Sequence, residues 1–87
     1  MEKTLYAREY RILLELLKEA RLVREVNQTE LAKRLGITQS MVSKCERGER
    51  RLDIIELRQW CQAIDVPLAL FVKRVEEALM DRPAREV

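Results

Sequence analysis

A short run of polar side chains, spaced for one face of a helix, carries the most distinctive hydrogen-bonding groups of this chain. The run comprises Gln39, Ser40, Ser43 and Lys44. Residues three and four positions apart lie on the same side of a helix, so these groups would share one surface with no bulky hydrophobe. Amides and hydroxyls both donate and accept hydrogen bonds, whereas an ammonium group only donates. Such a surface is suited to recognising another polar surface.

Three guanidinium groups follow this polar face closely, at Arg47, Arg50 and Arg51. Glu49 interrupts them, and we expect it to point away or to hold one arginine in place. The planar fork of arginine matches the oxygens of a phosphate group. Residues 27–52 carry six basic and three acidic groups, a net charge of +3 within a chain whose total is +2. The positive charge is therefore concentrated beside the polar face, as contact with a polyanion requires.

Two short helices joined by a tight turn are predicted to position these groups. Asn27 is a suitable N-cap, and Glu30 stands where its side chain can reach back to the amide of the cap. Gly36 falls where a helix ends in a left-handed residue, and Thr38 can cap a second helix. This pattern over residues 27–48 is that of a helix-turn-helix unit, whose second helix can enter a DNA major groove.

The same stretch resembles the helix-turn-helix of the phage repressor and Cro family, often called XRE-like. The shared pattern comprises Gln28-Thr-Glu-Leu-Ala, Leu35-Gly-Ile-Thr-Gln-Ser, Val42-Ser, Glu46-Arg-Gly, Leu57, Ile64-Asp65-Val66-Pro67 and Leu70-Phe71. The likeness extends from about residue 15 to about residue 77. It implies an all-α fold, a compact five-helix lambda-repressor-like DNA-binding domain. Because family members usually begin their first helix near Leu13, it also implies an extended first helix.

Roles for individual side chains follow from this resemblance and from their chemistry. A glutamine amide can pair with adenine, and a lysine can donate to guanine. Phosphate contacts fix position and strength without reading sequence, and helix N-termini also bind phosphates. We expect base-edge contacts from Gln39, Ser40, Ser43 and Lys44, and phosphate contacts from Gln28, Arg47, Arg50 and Arg51.

The resemblance also implies a structural ion pair between Arg21 in the first helix and Glu46 near the end of the third. If the pair is buried, removal of one partner leaves the other charge stranded, at a cost of roughly 3–5 kcal/mol. The alternative is a solvent-exposed arginine that contributes almost nothing to stability.

An amphipathic first helix is predicted over residues 5–26, with Leu22 among the residues on its core face. Tyr6 and Tyr10 lie in the part of this helix that extends beyond the family pattern. Their side chains suit either a surface for a partner protein or packing over the fifth helix.

The chain of 87 residues has room for one domain, which we expect to span residues 1–80 and to be followed by a loose tail at 81–87. Asp53, with a glutamate three residues later, predicts a capping box at the start of the fourth helix. The fourth helix is predicted to stop at Asp65, where the family usually carries glycine. Pro67 suits the first turn of the fifth helix.

Neither cysteine is suited to a metal site. Cys45 and Cys61 fall on apolar helix positions, and the chain contains no histidine. Two thiolates cannot complete a tetrahedral zinc site within one chain, so we expect buried thiols and neither a metal nor a cofactor. The sequence has no signal peptide and no apolar run near 18 residues, which favours a soluble, cytoplasmic protein without membrane contact.

These features favour a sequence-specific double-stranded DNA-binding transcriptional regulator, a repressor that binds a two-fold operator as a homodimer through its helix 5 region. The alternative is an antitoxin of a toxin–antitoxin pair, which would bind a toxin and autoregulate its promoter. A motif retained only for protein binding is a further possibility. An enzyme is the weakest hypothesis, because no histidine, paired carboxylates in a cleft or glycine-rich phosphate loop is available.

Overall fold

Five α-helices account for most of the described chain, and they confirm the predicted fold class. The structure is a computed structural model that describes residues 4–81, with side chains from residue 7 onward. The helices are α1 (Thr4–Val23), α2 (Gln28–Leu35), α3 (Gln39–Glu46), α4 (Ile54–Ala63) and α5 (Leu68–Asp81). Residues 4–81 contain no strand. The tail was predicted at 81–87; Asp81 is the last residue of α5, and residues 82–87 lie outside the described residues.

Side-chain caps fix where three of the helices begin. The side chain of Asn27 accepts a hydrogen bond from the Glu30 amide at 2.8 Å, and that of Thr38 accepts one from the Met41 amide at 3.1 Å. Asp53 and the glutamate three residues later form the predicted capping box at the start of α4. The predicted return of the Glu30 side chain to the Asn27 amide was wrong, because Glu30 instead pairs with Arg34 at 3.1 Å.

The turn between α2 and α3 is closed at a left-handed glycine. Gly36 has φ 73°, a conformation that costs glycine little. The amide of Ile37 donates to the carbonyl of Ala32 at 3.0 Å, and this bond satisfies one of the last carbonyl groups of α2. The chain therefore changes direction within three residues, and α3 begins directly after the turn.

The first helix is shorter at its C-terminal end than the predicted span of 5–26. It stops at Val23, because Glu25 adopts a left-handed conformation with φ 59°, which ends the helix. Leu22, predicted to face the core, is 55% exposed. Arg21, which is only 4% exposed, occupies the core-facing position in this turn. Because adjacent residues on a helix point about 100° apart, Leu22 is directed away from the core. The prediction for Leu22 was therefore wrong.

All five helices contribute buried residues, and most of these form one apolar cluster. The cluster comprises Leu17, Ala20, Val26, Leu31, Ala32, Val42, Cys45, Leu57, Trp60, Cys61, Ile64, Val66 and Phe71. Trp60 is buried in this cluster, and its indole N–H has no acceptor among the described residues. Both thiols are free and buried, and burial raises the pKa of Cys61 to about 11. The helix α3 thus packs on the core through Val42 and Cys45.

No group of three or more histidine, cysteine, aspartate or glutamate residues within 4–81 is placed to hold a metal ion. None of the described helices is long and apolar enough to cross a bilayer.

The backbone strain at Asp65 gives a stability prediction. Asp65 has φ 63°, and a side chain in the left-handed region costs roughly 1 kcal/mol. Asp65→Gly should raise the free energy of unfolding by about 0.5–1 kcal/mol, a gain reduced by the extra entropy of glycine in the unfolded chain. Thermal unfolding should show a midpoint a few degrees higher.

The matched control is Gln62→Gly, an exposed site within α4. Glycine there should lower stability by about 1 kcal/mol, because the backbone is already helical. Equal losses from the two substitutions would show that the conformation of Asp65 is not strained.

Candidate nucleic-acid interface

The predicted polar face on α3 lies at the surface. Gln39, Ser40 and Lys44 are exposed, and Ser43 is half-buried. Met41 is also half-buried, and it packs against the apolar cluster instead of joining the polar face. The surface of α3 therefore offers one amide, two hydroxyls and one ammonium group.

A buried ion pair lies beneath this face. The Nε and Nη2 atoms of Arg21 donate to the two carboxylate oxygens of Glu46 at 2.6 and 3.0 Å. Both side chains are 5% exposed. The remaining nitrogen, Nη1, donates to the carbonyl of Val26 at 2.8 Å. One guanidinium group thus joins the end of α1, the loop after it and the end of α3.

Hydrogen bonds through two glutamines connect this ion pair to the surface. The amide nitrogen of Gln28 donates to the Oε1 atom of Glu46 at 2.9 Å. The carbonyl oxygen of Gln28 accepts in turn from the amide nitrogen of Gln39 at 2.6 Å. A continuous chain of hydrogen bonds therefore runs from Arg21 to the first residue of α3. Sequence reasoning placed Gln28 among the phosphate contacts and did not find its link to Gln39.

This chain leaves part of each glutamine available. Gln39 uses one of its two N–H groups, so a second N–H and the carbonyl oxygen remain for a partner. At the start of α2, the Asn27 side chain accepts from the Glu30 amide. The preceding amides of Gln28 and Thr29 have no acceptor within the helix, and they carry the positive end of its dipole.

The three predicted phosphate-binding arginines differ in their surroundings. Arg47 donates to both carboxylate oxygens of Glu49 at 2.9 and 3.2 Å and also contacts the Ser43 hydroxyl. The hydrogen bond and charge of Glu49 raise the pKa of Arg47, and those of Arg47 lower the pKa of Glu49. Glu49 therefore holds one arginine in place, one of the two outcomes expected for it.

Arg50 is tied to α4. Its Nη2 atom donates to Glu56 at 2.7 Å, and this hydrogen bond raises the pKa of Arg50. Arg50 also contacts the Cys45 thiol, whose pKa is raised by burial despite that contact. Sequence spacing did not indicate this ion pair, because Glu56 lies six positions after Arg50 and its expected role is to accept a hydrogen bond from the Asp53 amide.

Arg51 lies over an aromatic ring instead of a carboxylate. Its guanidinium carbon is 4.2 Å from the centroid of the Tyr10 ring. Neither predicted position for Tyr10, a partner surface or the face of α5, matches this contact with the loop between α3 and α4. The side chain of Tyr6 lies outside the described residues.

A capped two-helix unit, a polar second helix and adjacent guanidinium groups together define a helix-turn-helix DNA-binding protein. A sequence profile described as helix-turn-helix matches residues 17–71. The chain belongs to this family, which is of the XRE or phage repressor and Cro type, and it is a DNA-binding transcriptional regulator, not an enzyme.

One solved structure supports this assignment by sequence and fold, and a second shares the fold alone. An XRE-family like protein from Pseudomonas syringae pv. tomato str. DC3000 is 43% identical, with a TM-score of 0.82 over 86% of this chain and 92% of that chain. A point mutant of the restriction-modification controller protein C.Esp1396I is 20% identical, with a TM-score of 0.77 over 85% of this chain and 96% of that chain.

A third structure shares the fold at low identity. The clp gene regulator ClgR from Corynebacterium glutamicum is 22% identical, with a TM-score of 0.75 over 90% of this chain and 83% of that chain. A comparison with curated protein sequences finds no match.

The buried pair predicts unequal effects from two neighbouring glutamates. Glu46→Ala leaves the Arg21 guanidinium buried without its carboxylate, so the free energy of unfolding should fall by about 3–5 kcal/mol. Glu49→Ala breaks an exposed pair that solvent already screens, and its effect on stability should be much smaller. Urea unfolding followed by circular dichroism measures both values. Equal midpoints for the two variants would contradict a structural role for the Arg21–Glu46 pair.

Proposed function

We propose that this protein is a sequence-specific repressor that binds a two-fold DNA operator as a homodimer. The observation that carries the proposal is the hydrogen-bond chain that ends at Gln39. It fixes the first side chain of α3 while leaving a donor and an acceptor available. A protein that bound only phosphates would gain nothing from such an oriented amide, because phosphate contacts carry no sequence information.

The exposed face of α3 would read the bases. The remaining N–H and carbonyl of Gln39 match the N7 and N6 groups of adenine in the major groove. Lys44 can donate to the O6 or N7 atom of guanine. Ser40 and Ser43 are short, so they allow the helix backbone to come close to base edges or phosphates. Each good bidentate contact discriminates by roughly 1–3 kcal/mol.

Phosphate contacts would flank this face on two sides. The first amides of α2 and the remaining N–H of Gln28 form one anion site at a helix N-terminus. Arg47, Arg50 and Arg51 form the other, on the loop after α3. Their contribution to affinity would fall steeply with salt, as condensed counterions are released from DNA.

A second copy of the chain would pair through α5. Leu70, Val72 and Met80 on this helix are 39%, 44% and 70% exposed, although they are apolar. A two-fold dimer would place two copies of α3 about one helical turn apart on DNA. Occupation of the operator would then exclude RNA polymerase, and the site of action would be the cytoplasm.

The alternative is an antitoxin, with a toxin bound on the extended first helix or on the apolar fifth helix with the tail. The Tyr10 side chain of the first helix is occupied by Arg51 and the Leu52 amide, so the exposed apolar residues of α5 are the better candidate surface for a toxin. Co-purification with a protein encoded by an adjacent gene would favour the antitoxin.

The base-reading role gives a specific DNA-binding prediction. Genomic selection of bound fragments supplies the operator, and affinities are then measured for that operator and for a scrambled duplex. Gln39→Ala and Lys44→Ala should each reduce the preference for the operator by about 1–3 kcal/mol, while affinity for the scrambled duplex changes little. Lys33→Ala, on the exposed side of α2, is the matched control and should preserve the preference. Equal losses on both duplexes would refute base reading by α3.

The dimer gives a separate prediction. Leu70→Glu and Met80→Glu should shift the protein from dimer to monomer in analytical ultracentrifugation, because each places a charge in an apolar contact. Lys73→Glu, at an exposed polar site of the same helix, should leave the dimer intact. A dimer that survives both apolar substitutions would exclude α5 as its interface.

A further inference from the structure

Tyr10 makes two contacts with consecutive residues of the loop between α3 and α4. The guanidinium carbon of Arg51 lies over its ring, 4.2 Å from the centroid. Its hydroxyl oxygen accepts a hydrogen bond from the backbone amide of Leu52 at 3.0 Å. One half-buried side chain of α1 therefore holds both the backbone and a charged side chain of the loop.

The surroundings of Arg51 distinguish it from the other two arginines of the loop. Arg47 donates to Glu49, and Arg50 donates to Glu56. The side chain of Arg51 is exposed, and it has no carboxylate partner and no hydrogen-bond acceptor within residues 4–81. Its positive charge is therefore not neutralised by a neighbouring acid.

The contact with Tyr10 leaves the hydrogen-bonding edge of Arg51 available. A guanidinium group over an aromatic ring uses its flat face, whereas it binds phosphate oxygens through N–H groups at its edge. The two interactions are compatible. An arginine held in this way also loses less side-chain entropy when it binds, because part of its freedom is already restricted.

Tyr10 lies outside the family pattern. Tyr10 stands seven positions before the start of the helix-turn-helix match at residue 17. In this part of α1, Tyr10 contacts the loop that carries Arg51. The extended first helix therefore acts on the same loop that is expected to contact DNA.

We propose that Tyr10 is a positioning residue that presents Arg51 to a DNA phosphate. This inference rests on the proposed function, in which Arg51 contacts the DNA backbone. The ring orients the guanidinium group, and the hydroxyl fixes the loop through the Leu52 amide. Tyr10 itself does not touch DNA. Of the three arginines, Arg51 then provides the contact that is ready to form without breaking an ion pair.

The test measures DNA affinity across a salt series from about 50 to 200 mM. Arg51→Ala should flatten the slope of log affinity against log salt by about one unit. Tyr10→Leu, which removes both contacts, should weaken binding about two- to fivefold and flatten the slope in the same direction. Tyr10→Phe keeps the ring and should retain most of the slope. In the double variant, Tyr10→Leu should add little to the effect of Arg51→Ala.

A stability control separates positioning from folding. Ile12→Val removes one methylene from a neighbouring buried position of α1, and it should lower the melting temperature without changing the salt slope. A slope unchanged by Tyr10→Leu, with Arg51→Ala still effective, would overturn the positioning role and leave the proposed function intact. A slope unchanged by Arg51→Ala would remove the phosphate contact itself, and the positioning role with it. Additive losses in the double variant would also overturn the proposal.

Discussion

The carboxylate of Glu46 is the group on which the geometry of the DNA-binding unit depends. It is almost fully buried, and a buried charge is tolerated only when opposite charge and hydrogen bonds satisfy it. Arg21 supplies two donors from α1 and Gln28 supplies one from α2. Any change in the angle between these helices and α3 would lengthen at least one of the bonds. The carboxylate therefore restricts α3 to one orientation, which apolar packing alone would define less sharply.

This interaction also connects the core to the surface that would face DNA. Gln28 bonds Glu46 through its nitrogen and Gln39 through its oxygen, so the orientation of its amide is fixed by the buried charge. The free groups of Gln39 are fixed in turn. A pair of apolar residues in place of Arg21 and Glu46 could preserve stability, since such replacements are often neutral or stabilising. It would nevertheless release Gln28, and the amide of Gln39 would lose its defined direction.

Local spacing rules were sufficient to predict the helix-turn-helix from sequence. They did not predict the contacts between residues that are distant in sequence. The caps at Asn27, Thr38 and Asp53 and the left-handed Gly36 depend on residues within four positions, where spacing determines geometry. The Arg21–Glu46 pair joins residues 25 positions apart and was accessible only through resemblance to a family. The contact of Tyr10 with the loop was not predicted, because it lies outside that family's pattern and no local signal marks it. Leu22 was misplaced for a related reason: the apolar pattern of α1 does not reveal that an arginine occupies the core-facing position.

A count of charged side chains overstates the electrostatic field that this interface would present to DNA. Residues 27–52 carry a net charge of +3. Within this stretch, however, Arg34 and Arg47 are paired with Glu30 and Glu49, while Arg50 is paired with Glu56 from α4. An exposed pair is weak, so a phosphate can compete for its arginine, but the glutamate left behind repels the same phosphate. The attraction of DNA should therefore come first from Lys44, Arg51 and the amides at the start of α2, and the paired arginines should contribute only once the phosphate is already close.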